Sequence, residues 1–292
     1  MKIQQSFRHN ENSKRQGNLY LIATPIGNLE DMTLRGLRIL KEADWIAAED
    51  TRHTRKLLAH YHIEGRMLSY HEHNKKSAGQ GILTKLRDGF TVALVSDAGM
   101  PGISDPGYEL VREAAKVDIP VIPVPGANAA LSALIISGLD TKSFLFSGFL
   151  PRETRRRNEK LEQLTDQPHT LIFYESPHRL KETLKAMQQC WGNRQIVIAR
   201  ELTKTYEEVL RSDLVTALSY VKEVSPKGEY CLIVQGADDQ QDKNPLWWSL
   251  LSLKEHYEHY VAQGLNRKEA MKQVAQDRGV SKREIYNRMV SH

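Results

Sequence analysis

Short apolar runs alternate with amphipathic stretches of helical length, and this alternation restricts the fold more than any other feature of the chain. The run at 91–96 (TVALVS) is apolar enough for a central strand. Leu34, Leu37 and Leu40 repeat at the spacing of one helix face. The predicted strands are 18–24, 44–48, 67–70, 91–96 and 120–124, and the predicted helices are 33–43, 51–61, 75–87, 105–116 and 127–137. The alternation predicts an α/β fold with a largely parallel sheet.

A second series of strands begins near residue 143, and its later members have few helices between them. The predicted strands are 143–148, 170–174, 195–200, 207–211 and 229–235, and the predicted helices are 155–164, 177–189 and 214–221. Strands without crossover helices favour a mixed sheet with antiparallel members. A length of 292 residues agrees with about two domains at roughly 150 residues each. We predict α/β domains at 17–125 and 126–236, with the boundary near Pro125 and Gly126.

The two ends of the chain depart from this pattern. Residues 1–16 are polar and lack the apolar stretch of a secretion signal, so we predict a disordered lead-in. Residues 237–245 (ADDQQDKNP) have the composition of a linker. Residues 246–292 carry three helical patterns that resemble a helix-turn-helix. A small helical bundle that packs against the body or mediates dimer contacts is the alternative.

Basic residues are concentrated in two places. The chain has 41 Lys and Arg against 36 Asp and Glu, and the formal net charge of +5 favours a polyanionic partner. One cluster lies at 152–157 and the other in the last helices. A single such cluster is more often a solvated face, but two on one basic chain favour contact with phosphates. The side chains predicted to meet a phosphate backbone are Arg152, Arg155, Arg156, Arg157, Lys282, Arg283 and Arg288.

Composition excludes several classes of protein. Hydrophobic residues make up 40% and charged residues 26% of the chain, as in ordinary soluble globular proteins. No apolar run approaches the roughly 20 residues of a membrane span. Cys190 and Cys231 match no metal-ligand spacing, so we expect buried reduced thiols and a cytoplasmic protein.

The loop that follows the strand at 91–96 is unusually rich in glycine and proline. It reads SDAGMPGISDPG, and Gly99, Gly102 and Gly107 permit close approach of the backbone to a ligand. Ligands of open α/β sheets bind beyond the carboxyl ends of the strands, where this loop lies. Asp105 and Pro106 are predicted to cap and open the next helix. Neither the dinucleotide-binding GxGxxG nor the P-loop motif occurs.

Other strand ends carry titratable side chains. The end of the second predicted strand and the start of the next helix carry Glu49, Asp50, Arg52 and His53, which offer a candidate general base beside cations. Asp50 or Thr51 could also cap the helix. The next strand end, SYHEHN at 69–74, holds His71 and His73 two positions apart. No third metal ligand follows at a recognisable spacing, so we interpret this segment as part of a polar substrate groove. We therefore predict no metal site.

Seven motifs in order give the chain a specific resemblance. The motifs are TPIGNLED, AAEDTRHT, SDAGMPGISDPG, PGANAALSALIISGL, FYESPHR, ARELTKTYEE and KGEYCLIVQG. Together they closely resemble the ribosomal RNA small subunit methyltransferase I family, a branch of the tetrapyrrole methylase superfamily. The resemblance covers about residues 17–236, and the helical end is similar to the small helix-turn-helix domain of that family.

The resemblance implies a fold and an activity. It implies two α/β domains with S-adenosylmethionine in the cleft between them, a homodimer, and 2′-O-methylation of a cytidine ribose in the decoding centre of 16S rRNA, on the 30S subunit. It also implies a cofactor site. The residues carried over to that site are Pro25, Gly27, Asp97, Gly99, Pro101, Ile103, Ser104, Phe173, Tyr174, Glu175, Leu202 and Gly228. Tetrapyrrole methylases tend to have GGDP where this chain has SDAGMPG, which argues against a tetrapyrrole pocket.

The implied reaction needs an aligned ribose hydroxyl and help with its proton. Our hypothesis from the strand-end positions is that Asp50 or Asp97 acts as base or orienter, with Arg52 and His53 near the target phosphate. Two other functions compete with this one. A tetrapyrrole C-methyltransferase would leave the basic clusters unexplained, and a non-enzymatic nucleic-acid binder would leave the Gly-rich loops unexplained.

Overall fold

The computed structural model describes residues 3–4, 17–237, 248, 251–278 and 280–290, apart from the side chains of Arg283 and Val290. Two compact units result, residues 1–236 and 237–292. Of the predicted lead-in at 1–16, the structure describes only Ile3 and Gln4. Of the predicted linker at 237–245, it describes only Ala237. Within the described ranges, no helix has the length and apolarity needed to cross a bilayer.

The first sheet of the larger unit is entirely parallel. Its strands are β1 (Leu19–Ile22), β2 (Trp45–Ala48), β3 (Met67–Ser69), β4 (Val92–Val95) and β5 (Val121–Val124), in the order β3-β2-β4-β1-β5. As predicted, β4 is central, and all four of its residues are buried. A short 3₁₀ turn (Leu29–Asp31) and four helices follow the strands: α1 (Leu34–Glu42), α2 (Thr51–His60), α3 (Lys75–Arg87) and α4 (Tyr108–Lys116).

The start of α4 differs from the prediction. The helix begins at Tyr108, so Asp105 and Pro106 belong to the preceding loop and do not cap it. Gly107, which lies inside the predicted helix, has φ of 158°, a conformation that an α-helix cannot contain. It packs closely against Gly102 of the same loop, where an added Cβ would lie 3.0 Å from the Gly102 nitrogen. The conformation of the loop therefore sets the start of the helix.

The second sheet is mixed, which confirms the prediction. Its strands are β6 (Phe144–Phe149), β7 (Thr170–Glu175), β8 (Gln195–Arg200), β9 (Glu208–Asp213) and β10 (Tyr230–Val234), in the order β6-β7-β10-β8-β9. Only the β6–β7 pair is parallel among these strands. The helices that accompany the sheet are α5 (Ala129–Ser137), α6 (Thr154–Glu162), α7 (Leu180–Trp191) and α8 (Leu214–Glu223).

Two apolar cores sandwich the second sheet. Helices α6, α7 and α8 cover one face, where Phe173 packs in the core with Trp191. Helix α5 covers the other face, where the free thiol Cys231 is buried and Tyr174 packs at the margin. Cys190 is also a free thiol but only half-buried, in contrast to the prediction. The second sheet begins with β6, which follows α5 in the chain. The predicted boundary between two α/β domains near residue 125 stays a prediction.

The smaller unit is helical. Its helices are α9 (Leu253–Ala262), α10 (Arg267–Asp277) and α11 (Lys282–Val290), which enclose a core around Val274, Ala275 and Ile285. Ser252 and Asn266 begin α9 and α10 with capping boxes that satisfy the first backbone amides. The imidazole of His256 is buried, where Nδ1 accepts from Arg278 (3.1 Å) and Nε2 lies 3.1 Å from Asp277. The predicted C-terminal helices are therefore present.

Candidate functional site

A cavity of about 420 Å³ lies where strand ends of the two sheets face each other in the larger unit. Pockets that bind small molecules commonly measure about 300–1,000 Å³. The loops of the first sheet contribute Ile26, Glu49, Asp97, Gly99, Met100, Ile103, Ser104 and Asp105. The second half of the chain contributes Asn128, Phe149, Tyr174, Glu175, Glu201, Leu202, Lys204, Glu229, Tyr230 and Cys231, among others.

Hydrogen bonds hold the loop after β4 against the loop after β1. The backbones of Thr24 and Gly99 exchange two hydrogen bonds, of 2.9 and 3.0 Å. The Ser96 hydroxyl donates to the Gly99 carbonyl (3.1 Å), and the Thr24 hydroxyl donates to the Ser96 carbonyl (3.1 Å). Gly99 has φ of +81°, a left-handed conformation that favours glycine. The Gly-rich loop is therefore fixed in place at the cavity floor.

Two glycines let the loops close around the cavity. A Cβ on Gly27 would lie 2.4 Å from the Lys204 Cγ. A Cβ on Gly228, which has φ of +82°, would lie 2.5 Å from the Glu201 carboxyl carbon. Real Cβ atoms do not approach this closely, so larger residues here would displace Lys204 or Glu201, both of which line the cavity.

Three carboxylates face one another on the first-sheet side of the cavity. Asp97 Oδ1 accepts the backbone N–H of Asp50 (3.0 Å), which joins the ends of β4 and β2. Burial raises the pKa of Asp105 to about 7, with a further contribution from the charge of Glu49 and a smaller one from Asp97. Burial and the charge of Asp97 also raise the pKa of Glu49. This wall of the cavity is acidic and favours a cation.

The opposite wall is built by the end of β7. The Tyr174 hydroxyl accepts the N–H of Ala130 at the start of α5 (3.2 Å), and burial raises the pKa of this tyrosine to about 12. Glu175 is 2% exposed, and its carboxylate accepts from the Thr183 hydroxyl (2.6 Å) and the Ser176 N–H (2.8 Å). Because these bonds occupy the carboxylate, Glu175 fixes the shape of the wall.

The geometry, with strand ends of two sheets around a shared cavity, agrees with comparisons to known proteins. Residues 18–217 match the family described as Tetrapyrrole (Corrin/Porphyrin) Methylases. A ribosomal RNA small subunit methyltransferase I from Halalkalibacterium halodurans is 58% identical over 98% of each chain. One from Bacillus subtilis is 51% identical over 93% of each chain. The chain belongs to the ribosomal RNA small subunit methyltransferase I family.

Solved structures show that the family shares its fold with more distant enzymes. A uroporphyrin-III-C-methyltransferase from Thermus thermophilus superposes with a TM-score of 0.53 at 21% identity, covering 75% of this chain and 94% of the other. A diphthine synthase superposes with a TM-score of 0.58 at 14% identity, covering 75% and 90%. At these identities the likeness concerns the fold, so the α/β prediction with two sheets is confirmed.

Most residues that the family resemblance assigned to the cofactor lie at the cavity. The predicted residues that line it are Asp97, Gly99, Ile103, Ser104, Tyr174, Glu175 and Leu202. Pro25, Gly27, Pro101 and Gly228 each lie next in sequence to a lining residue and shape the loops. Phe173 points to the opposite face of β7, into the core beside Trp191, because neighbouring strand residues alternate between faces.

The predicted catalytic residues do not all come together. Asp97 lines the cavity, whereas Asp50 is the N-cap of α2 and pairs with Arg52 (2.8 Å). The Arg52 guanidinium holds the pKa of the Asp50 carboxyl well below its usual range. Arg52 and His53 are exposed at the start of α2. Asp50 contacts the site through its backbone N–H to Asp97.

The histidine pair does not form part of a metal cluster. No group of three or more His, Cys, Asp or Glu side chains among the described residues has the arrangement of a metal site. The His71 and His73 rings lie 6.0 Å apart, edge to face. His71 lies close enough to Glu49 to counteract the rise in its pKa, which places this imidazole near the acidic wall.

The basic clusters are only partly available to phosphates. Arg152, Arg155 and Arg156 are exposed, whereas Arg157 is buried on the same face of α6 as Leu161, with Glu182 3.4 Å away. In the smaller unit, Lys282 and Arg288 are exposed, and Arg288 pairs with Glu284 (2.7 Å). The side chain of Arg283 lies outside the described residues.

Several residues that line the cavity were not assigned to the cofactor site from the sequence, among them Asp105, Asn128, Glu201 and Lys204. Glu49 was grouped with Asp50 as a candidate general base, and the structure places it at the cavity after β2. Asp105 was assigned to a helix cap, although it belongs to the same Gly-rich loop as Asp97. Both are carboxylates at strand ends, the positions where ligands of α/β sheets bind.

Proposed function

We propose that the protein transfers a methyl group from S-adenosylmethionine to the 2′-hydroxyl of a cytidine ribose in the decoding centre of 16S rRNA. The observation that carries the proposal is the 58% identity, over 98% of both chains, to a relative named ribosomal RNA small subunit methyltransferase I. The ribose as acceptor comes from the family resemblance of the seven motifs. A ribosomal substrate supports a cytoplasmic location and the 30S subunit as the partner.

The cavity suits S-adenosylmethionine, the cofactor of this methyltransferase family. The carboxylates of Glu49, Asp97 and Asp105 complement its sulfonium and ammonium groups, and Ile103 and Leu202 offer apolar contacts. When bound, the cofactor supplies a methyl group that is already activated by its sulfonium leaving group.

The work left to the protein is alignment, exclusion of water and removal of one proton. The Gly-rich loop and the end of β7 hold the two walls in position through the bonds of Gly99 and Glu175. We propose that Arg52 and His53, exposed at the start of α2, contact the phosphate of the target nucleotide. The ion-paired Asp50 then orients Arg52, and Asp97 belongs to the cofactor site.

The RNA is proposed to bind through exposed Arg152, which precedes α6, through Arg155 and Arg156 in the first turn of α6, and through Lys282 and Arg288 of the smaller unit. Phosphate contacts by exposed cations supply much of the affinity of RNA-binding proteins. Arg283 is part of the same proposal from sequence alone. Arg157 is left out because it is buried.

The proposal includes a homodimer. Leu131 and Ile135 lie one helical turn apart on α5 and are 46% and 74% exposed. We place the contact of the dimer at this exposed apolar pair. A second copy of the chain is the occupant that the family resemblance implies.

A labelling experiment distinguishes this function from its competitors. The protein is incubated with methyl-labelled S-adenosylmethionine and either 30S subunits that lack the modification or a uroporphyrin-type substrate. We expect label in the 16S rRNA and none in the tetrapyrrole. Label in the tetrapyrrole would support the C-methyltransferase, and label in neither would support a binding protein without this activity.

A glycine pair tests the shape of the cofactor site. Gly228 and Gly138 both have φ of +82°, but only at Gly228 would a Cβ meet other atoms. We expect either Ala variant to lose about 1–2 kcal/mol of stability from the left-handed backbone. Only Gly228→Ala is expected to weaken S-adenosylmethionine binding, by about tenfold or more, since it displaces Glu201; a tenfold change equals about 1.4 kcal/mol. Titration calorimetry and thermal unfolding measure both effects, and equal cofactor affinities in the two variants would contradict the assignment.

A further inference from the structure

Strand β6 ends beside the cavity in a bulge. The register of the parallel β6–β7 pair shifts after Phe146, so that Gly148 pairs with Phe173 and Phe149 pairs with Tyr174. Bulges are rare in parallel pairs, and next to functional sites they redirect a side chain. Gly148 has φ of +64°, and a Cβ added to it would lie 3.1 Å from the hydroxyl of Ser104 in the Gly-rich loop. The end of β6 is therefore shaped by contact with the first-sheet side of the cavity.

The bulge determines where the Phe149 ring points. Phe146 and Phe149 are three positions apart, so a regular strand would direct them to opposite faces. Because Ser147 is the extra residue between them, both rings lie on the face of Tyr174. The Tyr174 ring lies 5.0 Å from the Phe146 ring and 5.7 Å from the Phe149 ring, between centroids, and meets both edge to face. The Phe149 ring consequently lines the cavity.

The Phe149 side chain is exposed although it is held in place. It is 55% exposed, whereas Gly148 and Leu150 on either side of it are buried. Tyr174 contacts the ring on one side, and the hydroxyl of Tyr174 is itself bound to the N–H of Ala130 (3.2 Å). The result is an oriented aromatic ring at the cavity, with more than half of its surface available to a ligand.

The chain beyond Phe149 indicates which ligand fits. Arg152, Arg155 and Arg156 are exposed within the next seven positions. Three residues of chain span at most about 11 Å, so Arg152 can reach a phosphate next to a base that lies on the ring. Proteins bind unpaired RNA by this combination, in which bases stack on aromatic rings and phosphates pair with cations. Phosphates complement the three arginines, whereas a second copy of this chain carries the same net positive charge.

We infer that Phe149 is the platform on which the base of the target nucleotide stacks while its ribose is in the cavity. The inference rests on the proposed function. A cavity of about 420 Å³ has the size of a small-molecule site, and a base-paired helix cannot enter it. The target ribose therefore reaches the methyl donor only after its nucleotide has left the stack of its neighbours. Leaving the stack costs free energy, and stacking on Phe149 recovers part of that cost.

Kinetics on unmodified 30S subunits test the role of the ring. We expect Phe149→Ala to lower kcat/KM by about 5- to 150-fold, the usual effect of losing one stacked base, with S-adenosylmethionine affinity within about threefold of wild type by calorimetry. Phe149→Tyr keeps an aromatic face and should stay within about threefold of wild type. Phe149→Leu keeps an apolar side chain without that face and should lose most of what the alanine variant loses. Phe144→Ala is the matched control, since Phe144 is 43% exposed at the other end of β6, and should match wild type.

Salt dependence separates the ring from the arginines. Stacking of a base on an uncharged ring releases no counterions. The slope of log affinity against log salt should therefore be the same in Phe149→Ala as in the wild-type protein, while the affinity itself is lower.

Ultraviolet cross-linking gives a measurement that does not depend on turnover. The protein is mixed with unmodified 30S subunits and S-adenosylhomocysteine and irradiated, and its tryptic peptides are sequenced by mass spectrometry. Phe144, Phe146 and Phe149 lie in one peptide, residues 143–152, and its fragments distinguish them. We expect a nucleotide of 16S rRNA joined to Phe149 and none joined to Phe144.

Several results would overturn the inference. They are a kcat/KM of Phe149→Ala within about threefold of wild type, a leucine variant as active as wild type, a loss confined to cofactor affinity, a changed salt slope, or cross-links on other residues but not on Phe149. A lost oligomeric state in Phe149→Ala, measured by sedimentation, would assign the ring to a contact between copies of the chain.

The wild-type protein is assayed before the variants, which distinguishes this inference from the proposed function. No label on ribose in the wild-type reaction would refute the proposed function. Normal wild-type labelling with an unaffected Phe149→Ala would refute the stacking role alone. If thermal unfolding shows a fold defect in the alanine variant, the comparison between Phe149→Leu and Phe149→Tyr decides.

Discussion

Replacing Glu175 with alanine is expected to lower the free energy of unfolding by about 3–5 kcal/mol, the cost of removing one partner from a buried charged network. The Glu175 carboxylate accepts from the Thr183 hydroxyl, which is fully buried, and from the Ser176 N–H. The Arg179 guanidinium lies 3.7 Å away. The variant leaves the Thr183 hydroxyl and the Ser176 N–H without this acceptor, at about 1–3 kcal/mol for each buried group, whereas Arg179 keeps the carbonyls of Leu150 and Pro151. Urea unfolding measures the effect.

Two further variants separate the network from a general loss of packing. Glu175→Gln keeps an oxygen that can accept from Thr183, so it should lose less stability than the alanine variant. Glu159→Ala removes an exposed carboxylate of α6 and is expected to change stability by less than about 0.5 kcal/mol. An unfolding free energy for Glu175→Ala within about 1 kcal/mol of wild type would show that the network does not stabilise the fold.

Neutralising Arg152, Arg155 and Arg156 together is expected to weaken RNA binding by about 30- to 100-fold near 0.1 M salt. Each lost phosphate contact to single-stranded RNA removes about 0.7 from the slope of log affinity against log salt, so the triple Gln variant should lose about 2 from that slope. The three side chains are exposed, and the ion pairs of Arg155 and Arg156 with Glu159 and Glu153 are at the surface.

A charge-matched variant controls for the loss of net charge. Arg38, Lys41 and Lys116 are exposed on α1 and α4, and their replacement by Gln removes the same three charges. We expect this control to keep most of the affinity and the slope. Filter binding to 16S rRNA fragments over a series of salt concentrations gives both quantities. Equal slopes for the two triple variants would refute the assignment of the RNA contact to α6.

Local patterns predicted the secondary structure well where the chain has a clear period. Helix α3 and strand β8 begin and end where the sequence predicts. The same periods also contain information that the site prediction did not use. Phe173 and Tyr174 must point to opposite faces of β7, and Arg157 lies one helical turn before the buried Leu161, so the burial of Phe173 and Arg157 could have been inferred.

The candidate site itself depends on contacts that no local pattern contains. Asp105 lines the cavity on a loop whose Gly99 carbonyl accepts the Ser96 hydroxyl and whose Ser104 hydroxyl lies against Gly148 of the other sheet. Gly27 and Gly228 are required because Lys204 and Glu201 lie against them from a distant loop and strand end. The family resemblance assigned both glycines to the cofactor site without explaining why glycine is needed there. The close contacts of Lys204 and Glu201 give the physical reason. The structure also shows that the acidic wall includes Glu49.

Nucleoside analysis of the methylated product tests the central proposal most directly. Unmodified 30S subunits are incubated with the protein and methyl-labelled S-adenosylmethionine, and the 16S rRNA is digested to nucleosides. The proposal predicts that the label is recovered as 2′-O-methylcytidine, at about one methyl group per subunit. Label on a base, on another nucleoside or on no RNA would contradict it.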